Sequence, residues 1–215
     1  MAMPLSEHDY TVGWICPLEV ELTAALEMLD ETHPRLPQPR TDHNAYTLGS
    51  IAGHNVVLAS PPSTGNASAA NVVAHMARTF QNIRYALLVG IGGGVPTVTD
   101  NGHIRLGHVV VSKPTGIHSG AVQYDRGKAQ VGHFERTGVI PPPPNVLLSA
   151  AHQLGAQRAR SRNDPIQNNV KRIDTTIHGL RGYMRPGQEQ DALYVATYIH
   201  TTSTLSCDGC GCDPA

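Results

Sequence analysis

The sequence predicts an α/β fold, a mixed central β-sheet flanked by helices, and three observations carry that expectation. Apolar runs of strand length alternate along the chain with segments of helical periodicity. The segment Arg84–Gly90 is uninterrupted apolar sequence after its arginine, as a strand in the interior of a parallel or mixed sheet would be. Two strands run into turns built from glycine and other small residues, which is where α/β proteins place ligands. With 215 residues, 40% hydrophobic and 15% charged, residues 1–215 suit a single domain with its own core.

Tyr10-Thr-Val-Gly-Trp-Ile-Cys16 alternates and then turns apolar, so it reads as a first buried strand, with Cys16 a small buried hydrophobe. Pro17 punctuates it. Leu22, Ala25, Leu26 and Leu29 recur at i, i+3, i+4 and i+7, which predicts an amphipathic helix from near residue 18. Residues 33–44, with three prolines and two histidines, read as a surface loop. Ala45–Ile51 and His54–Ser60 flank Ala52-Gly53, the pattern of a tight hairpin. The small-residue segment Ser60–Ser68 opens an Ala-rich helix that ends near Phe80, and the strand Arg84–Gly90 runs straight into Ile91-Gly-Gly-Gly94. Another strand is expected at Val109–Ser112. Pro141–Pro144 breaks the chain, a helix follows from Asn145 to about Arg160, residues 161–190 are polar and partly helical, and Ala192–Tyr198 reads as a last strand.

Sixteen Lys plus Arg against seventeen Asp plus Glu give a net charge of −1, so no nucleic-acid partner is expected. No apolar run approaches a membrane span, and the first thirty residues carry acid in place of a basic leader. The chain is thus expected in the cytoplasm, where cysteines stay reduced. Residues 151–190 hold seven basic side chains against three acids. A solvated surface explains them, and a rim that attracts a phosphorylated substrate is the sharper alternative. Cys207, Cys210 and Cys212 crowd the last nine residues; one Cys-x-x-Cys supplies two ligands of the four zinc prefers, and His200 is the nearby third. A reduced, metal-free tail is the expectation there.

Three segments are candidates for chemistry. Ser63, Thr64, Gly65 and Asn66 precede a helix, where hydroxyls and backbone N–H groups hold an anion or simply cap the helix. Gly90, Ile91, Gly92 and Gly93 belong to a loop with four glycines in five residues, which allows close backbone approach at an entropic cost. Pro96 follows instead of a helix start, so a dinucleotide fingerprint is disfavoured. Glu19 and Glu21 follow the first strand; one complements the helix dipole, and Glu21 is the candidate for a chemical role.

Four segments in order carry a resemblance: Ile15–Leu22, Gly90–Pro96, Ile104–Ser112 and Val122–Lys128. Together they resemble the nucleoside phosphorylase-like domains of filamentous fungi, in the superfamily of purine nucleoside and uridine phosphorylases. Such domains often stand as N-terminal effector domains of larger receptors. The resemblance spans about residues 9–212 and implies a mixed sheet flanked by helices. It also implies purine nucleoside or nucleotide N-glycosidic cleavage and a homo-oligomer. Neither metal nor organic cofactor is implied, and inorganic phosphate would serve as co-substrate in a phosphorylase.

Leu18-Glu-Val-Glu21 is similar to the segment of methylthioadenosine nucleosidases whose last glutamate orders the attacking water, so Glu21 is implied as the catalytic base. The Gly90–Gly94 loop resembles the family's ribose- and phosphate-side glycine loop, and Ser63–Ser68, shorter here than the common fungal form, stand in the place of a second substrate loop. His108 stands where the family usually has Asp. No arginine is fixed as a phosphate clamp, with Arg84 and Arg105 the candidates. The later Glu-Met-Glu-Ala segment that contacts ribose, and the Asp that protonates the departing purine, have no match in residues 191–215. The fold is accordingly expected to be incomplete at its C-terminus. A catalytically inactive nucleoside-binding or oligomerisation module is the alternative function.

Overall fold

The computed structural model describes residues 4–94, 98–99, 102–184, 187, 191–195, 197–200, 202, 206–207 and 209–212. It divides into two compact units, Met1–Gly94 with Asn169–Met184, and Val95–Asn168 with Arg185–Ala215.

The first unit holds the central sheet. After a 3₁₀ turn at Glu7–Asp9 come β1 (Val12–Ile15), α1 (Glu19–Glu27), β2 (Glu31–His33), β3 (Tyr46–Ile51), β4 (His54–Ala59), α2 (Asn66–Thr79) and β5 (Tyr85–Leu88). The strands lie in the order β2-β3-β4-β1-β5. β4, β1 and β5 run parallel, while β3 pairs antiparallel with β4 and with β2. The sheet is therefore mixed and flanked by helices, as expected.

Strand alternation sorts the core into two faces. On one, Tyr10, Ile15, Val57 and Ala59 pack with Val72 and Met76 of α2 and with Phe80 at its C-cap. On the other, Cys16 and Leu58 pack with Ala25 of α1, joined by Trp14, Leu22 and Leu29. Gly13 faces α2, and a Cβ there would stand 2.6 Å from Met76 Sδ, so the missing side chain is what lets the helix seat. The β3–β4 turn is the two-residue loop Ala52-Gly53, with φ of 49° and 80°. These are the left-handed conformations that match the twist of a hairpin.

The segment 169–184 returns to this unit. Leu180, in a 3₁₀ turn at His178–Tyr183, is buried. Arg172 Nη2 donates to the Leu29 carbonyl at 3.1 Å and lies 2.9 Å from the Asp30 carboxylate. The Tyr183 hydroxyl donates to the Val20 carbonyl at 2.9 Å.

In the second unit β6 (Val98–Thr99) pairs with β7 (Gly102–His103), and β8 (Gly127–Gln130) with β9 (His133–Arg136), both antiparallel. α3 (Asn145–Arg160) starts directly after Pro144, and α4 (Pro165–Val170) lies across the sequence boundary between the units. Asp164 leads into α4, taking the Ile166 N–H at 2.9 Å while Arg158 forks onto its carboxylate.

Three expectations are corrected. β5 is not an interior strand: among the described strands it pairs with β1 alone, and Leu88 is 71% exposed. Its apolar run satisfies strand propensity without requiring two neighbours. Val109–Ser112 forms no strand, and Val109, Val110 and Val111 are all exposed. β-branched residues favour a ladder only where a partner strand is in reach, and no described strand pairs with these. The described residues of Ala192–Tyr198 form no strand either, and Ala196 lies outside the described residues.

Candidate functional site

The parallel pairing brings three strand ends into line. Ile15 of β1 stands opposite both Ala59 of β4 and Leu88 of β5. One step on, the Cys16 N–H donates to the Ala59 carbonyl at 2.9 Å, and the Val89 N–H to the Ile15 carbonyl at 3.3 Å. The segments after β1, β4 and β5 therefore all leave from one edge of the sheet, its carboxyl end. These are the three segments the sequence singled out.

Glu21 is the centre of this edge. It sits in the first turn of α1 and is buried, at 8% exposure, whereas Glu19 is exposed. Its Oε2 accepts the Leu18 N–H at 2.8 Å, closing the helix start with the acid three residues in. Its Oε1 accepts the Ile91 N–H, also at 2.8 Å, across 70 residues of sequence. Gly90 makes the approach feasible, since a Cβ at residue 90 would overlap the carboxylate and stand 2.7 Å from its Cδ. The carboxylate thus caps its own helix with one oxygen and clamps the glycine loop with the other.

Cys16 follows β1 beside this carboxylate. Burial, with a smaller contribution from the Glu21 charge, pushes its thiol up to about 11. At neutral pH it is a buried neutral thiol and no nucleophile.

The remaining candidates are less tied. Gly92 and Gly93 are exposed, and a Cβ on either would meet nothing within 4 Å, so close packing does not explain them. Ser63, Thr64, Gly65 and Asn66 are all exposed. Gly65 is the N-cap of α2 with φ 116°, and no side chain caps this helix. The plain capping role is thus not what Ser63, Thr64 or Asn66 performs. Sequence reasoning gave no weight to two buried polar atoms without hydrogen-bond partners, Ser68 Oγ in the first turn of α2 and Trp14 Nε1 on β1. Nothing in the residue pattern marks either as different from an ordinary core or helix position.

Three of the arginines are tied to partners of their own. Arg84 precedes β5, where its N–H donates to the Thr11 carbonyl at 2.8 Å, so it lies at the sheet edge opposite Glu21. In the second unit, Arg105 Nη1 donates to the Asp191 carbonyl at 3.1 Å, and its N–H donates to His108 Nδ1 at 3.2 Å. His108 therefore fills a local turn contact. Of the basic 151–190 segment, Arg158 forks onto Asp164 and Arg172 pairs with Asp30.

No protein-family model matches the chain. Over 155 residues, 72% of its length, the chain is 49% identical to a nucleotide-binding leucine-rich repeat (NLR)-like protein of Hyaloscypha variabilis. It spans 16% of the length of that relative. Among the described residues, no helix is long and apolar enough to cross a membrane.

Proposed function

We propose that the chain is the nucleoside-handling domain of a larger receptor, and that its chemistry is hydrolysis of the N-glycosidic bond of a purine nucleoside or nucleotide. The receptor half of this reading is supported by the similarity to the NLR-like protein, of which the chain spans a small part. One observation carries the chemical half: a buried carboxylate, Glu21, held against a glycine loop at the carboxyl ends of three parallel strands. That edge is where α/β folds bind ligands.

A carboxylate offers about four acceptor sites, and backbone N–H groups take two of Glu21's. The others are available to a water. That water's oxygen attacks the anomeric carbon while its proton passes to Glu21, and the electron pair of the breaking C–N bond leaves with the base. Positioning and a nearby negative charge favour the oxocarbenium-like sugar of the transition state. The departing purine is the harder half. Protonation by a general acid is worth on the order of 10²–10⁴-fold in rate at this step. Hydrolysis is preferred to phosphorolysis because Glu21 matches the water-positioning residue of the nucleosidases, and Arg84 enters β5 at the opposite edge of the sheet.

A second reading, a catalytically inactive nucleoside-binding or oligomerisation module, is favoured by the same geometry viewed from the carboxylate. Both its oxygens already hold backbone N–H groups, and it is 8% exposed. Calorimetric titration with adenosine, inosine, AMP and ATP, paired with chromatography for free base, separates the two. The hydrolytic reading expects binding of one of the four and release of its free base. That release should vanish in Glu21→Gln and persist in Glu19→Gln. Binding with no base release supports the inactive nucleoside-binding module, and no binding of any of the four rejects every reading but the oligomerisation module.

A further inference from the structure

In the second unit three metal-ligating side chains converge outside the site described above. His200 Nε2 lies 3.5 Å from Cys207 Sγ and 3.1 Å from Cys212 Sγ, and the three ligand atoms all fall within 4.8 Å of one another. Tetrahedral zinc, with Zn–S about 2.3 Å and Zn–N about 2.0–2.1 Å, sets neighbouring nitrogen and sulfur ligands about 3.5 Å apart. The observed spacings are close to that edge length.

The backbone is folded to present them. The Cys210 N–H donates to the Ser206 carbonyl and the Cys212 N–H to the Cys207 carbonyl, both at 2.9 Å. The Gly209 N–H donates to Ser206 Oγ at 3.2 Å, and the Tyr198 hydroxyl donates to the Cys210 carbonyl. The Tyr198 ring stands edge-on to the His200 ring. Cys212 is buried although the surrounding described residues are mostly exposed. A short polar segment with no apolar core of its own has little reason to gather thiols around an imidazole, and a metal supplies that reason.

We propose that His200, Cys207, Cys210 and Cys212 bind one zinc ion in a closed structural site. His200, Cys207 and Cys212 are already grouped. Cys210 lies on the same turn, its thiol 3.6 Å from the Thr202 carbonyl, and supplies the fourth ligand that structural zinc requires. Binding releases the thiol protons to solvent and leaves the sulfurs as thiolates. This revises the expectation of a metal-free tail, and it is independent of the glycosidic reading.

The test uses the whole chain, expressed without a polyhistidine tag in zinc-supplemented medium and kept reduced. Elemental analysis by mass spectrometry is expected to find one zinc per chain, lost in Cys207→Ser and in Cys212→Ser and retained in Cys16→Ser. Cobalt substitution gives a readout that does not depend on variants folding well. The parent chain loaded with Co²⁺ should show tetrahedral d–d bands and a charge-transfer band of three-thiolate intensity, falling to two-thiolate intensity in Cys210→Ser. Parent protein that holds no more zinc than Cys207→Ser, after expression and after reconstitution with Zn²⁺ alike, would overturn the site. Two-thiolate intensity in the parent would overturn the place given to Cys210.

Discussion

At the scale of the residue, Glu21 and Gly90 act as a pair. The carboxylate reaches the Ile91 N–H only because residue 90 lacks a Cβ. Gly90→Ala should therefore push Glu21 off its two N–H partners, at about 1–3 kcal/mol of stability for the forced overlap. Gly92→Ala is the matched control: a Cβ there meets nothing, so its effect should lie within about 0.5 kcal/mol of the parent. Urea unfolding of the two variants reads the difference directly, and equal midpoints would dissolve the pair. The same geometry changes how Glu21→Gln is to be read. An amide has one oxygen for two N–H donors, and its NH₂ faces one of them. The variant thus carries a stability loss on the order of 1–3 kcal/mol besides any loss of chemistry. Melting curves must accompany its activity. A water-positioning role appears as lost turnover in protein that is still folded.

At the scale of the element, legibility followed the source of each element's stability. α3 begins at Asn145 and ends at Arg160 as its sequence periodicity indicates, because Pro144 stops the chain and local pattern suffices for a helix. The β3–β4 hairpin was equally plain, since two residues between alternating runs leave little choice of turn. Ala52 at φ 49° is the one misfit there. An L-residue with a Cβ pays about 1–2 kcal/mol in that conformation, which Asn tolerates better. Ala52→Asn should accordingly stabilise the protein by about 0.5–1 kcal/mol, read as a higher denaturation midpoint at unchanged slope. β2 was hidden inside a polar stretch because three residues carry no periodicity, and it exists only through its pairing with β3. Val109–Ser112 failed for the converse reason, good propensity without a partner. The site divides the same way. Glu21, Gly90 and Ile91 were legible because glycine density and a carboxylate after a strand are local signals. The grouping of His200 with Cys207 and Cys212 depends on how a turn closes, and spacing alone left it open.

At the scale of the whole molecule, the open side of β5 governs behaviour in solution. The Tyr85 N–H bonds the carbonyl of Thr11, just before β1, and the Val89 N–H bonds the Ile15 carbonyl at its end. By alternation, the Ala86 and Leu88 N–H groups point to the side of β5 on which no described strand pairs. An apolar edge whose donors no described strand takes up is a template for another strand. The isolated chain should self-associate at micromolar concentration, and Leu88→Lys should shift it toward monomer without lowering its melting temperature. Sedimentation velocity decides this, and a salt-insensitive monomer for the parent would refute it. Another feature governs how the molecule is made. The first unit closes through Arg172 and Tyr183, whose partners Leu29 and Val20 lie 143 and 163 residues earlier. On the ribosome α1 emerges long before the segment that ties it down, so the nascent sheet must wait with that helix unbraced. Contacts of such sequence separation form slowly. The vulnerable interval for this protein is therefore its own synthesis, when a chaperone or a neighbouring nascent chain meets α1 before residues 169–184 do.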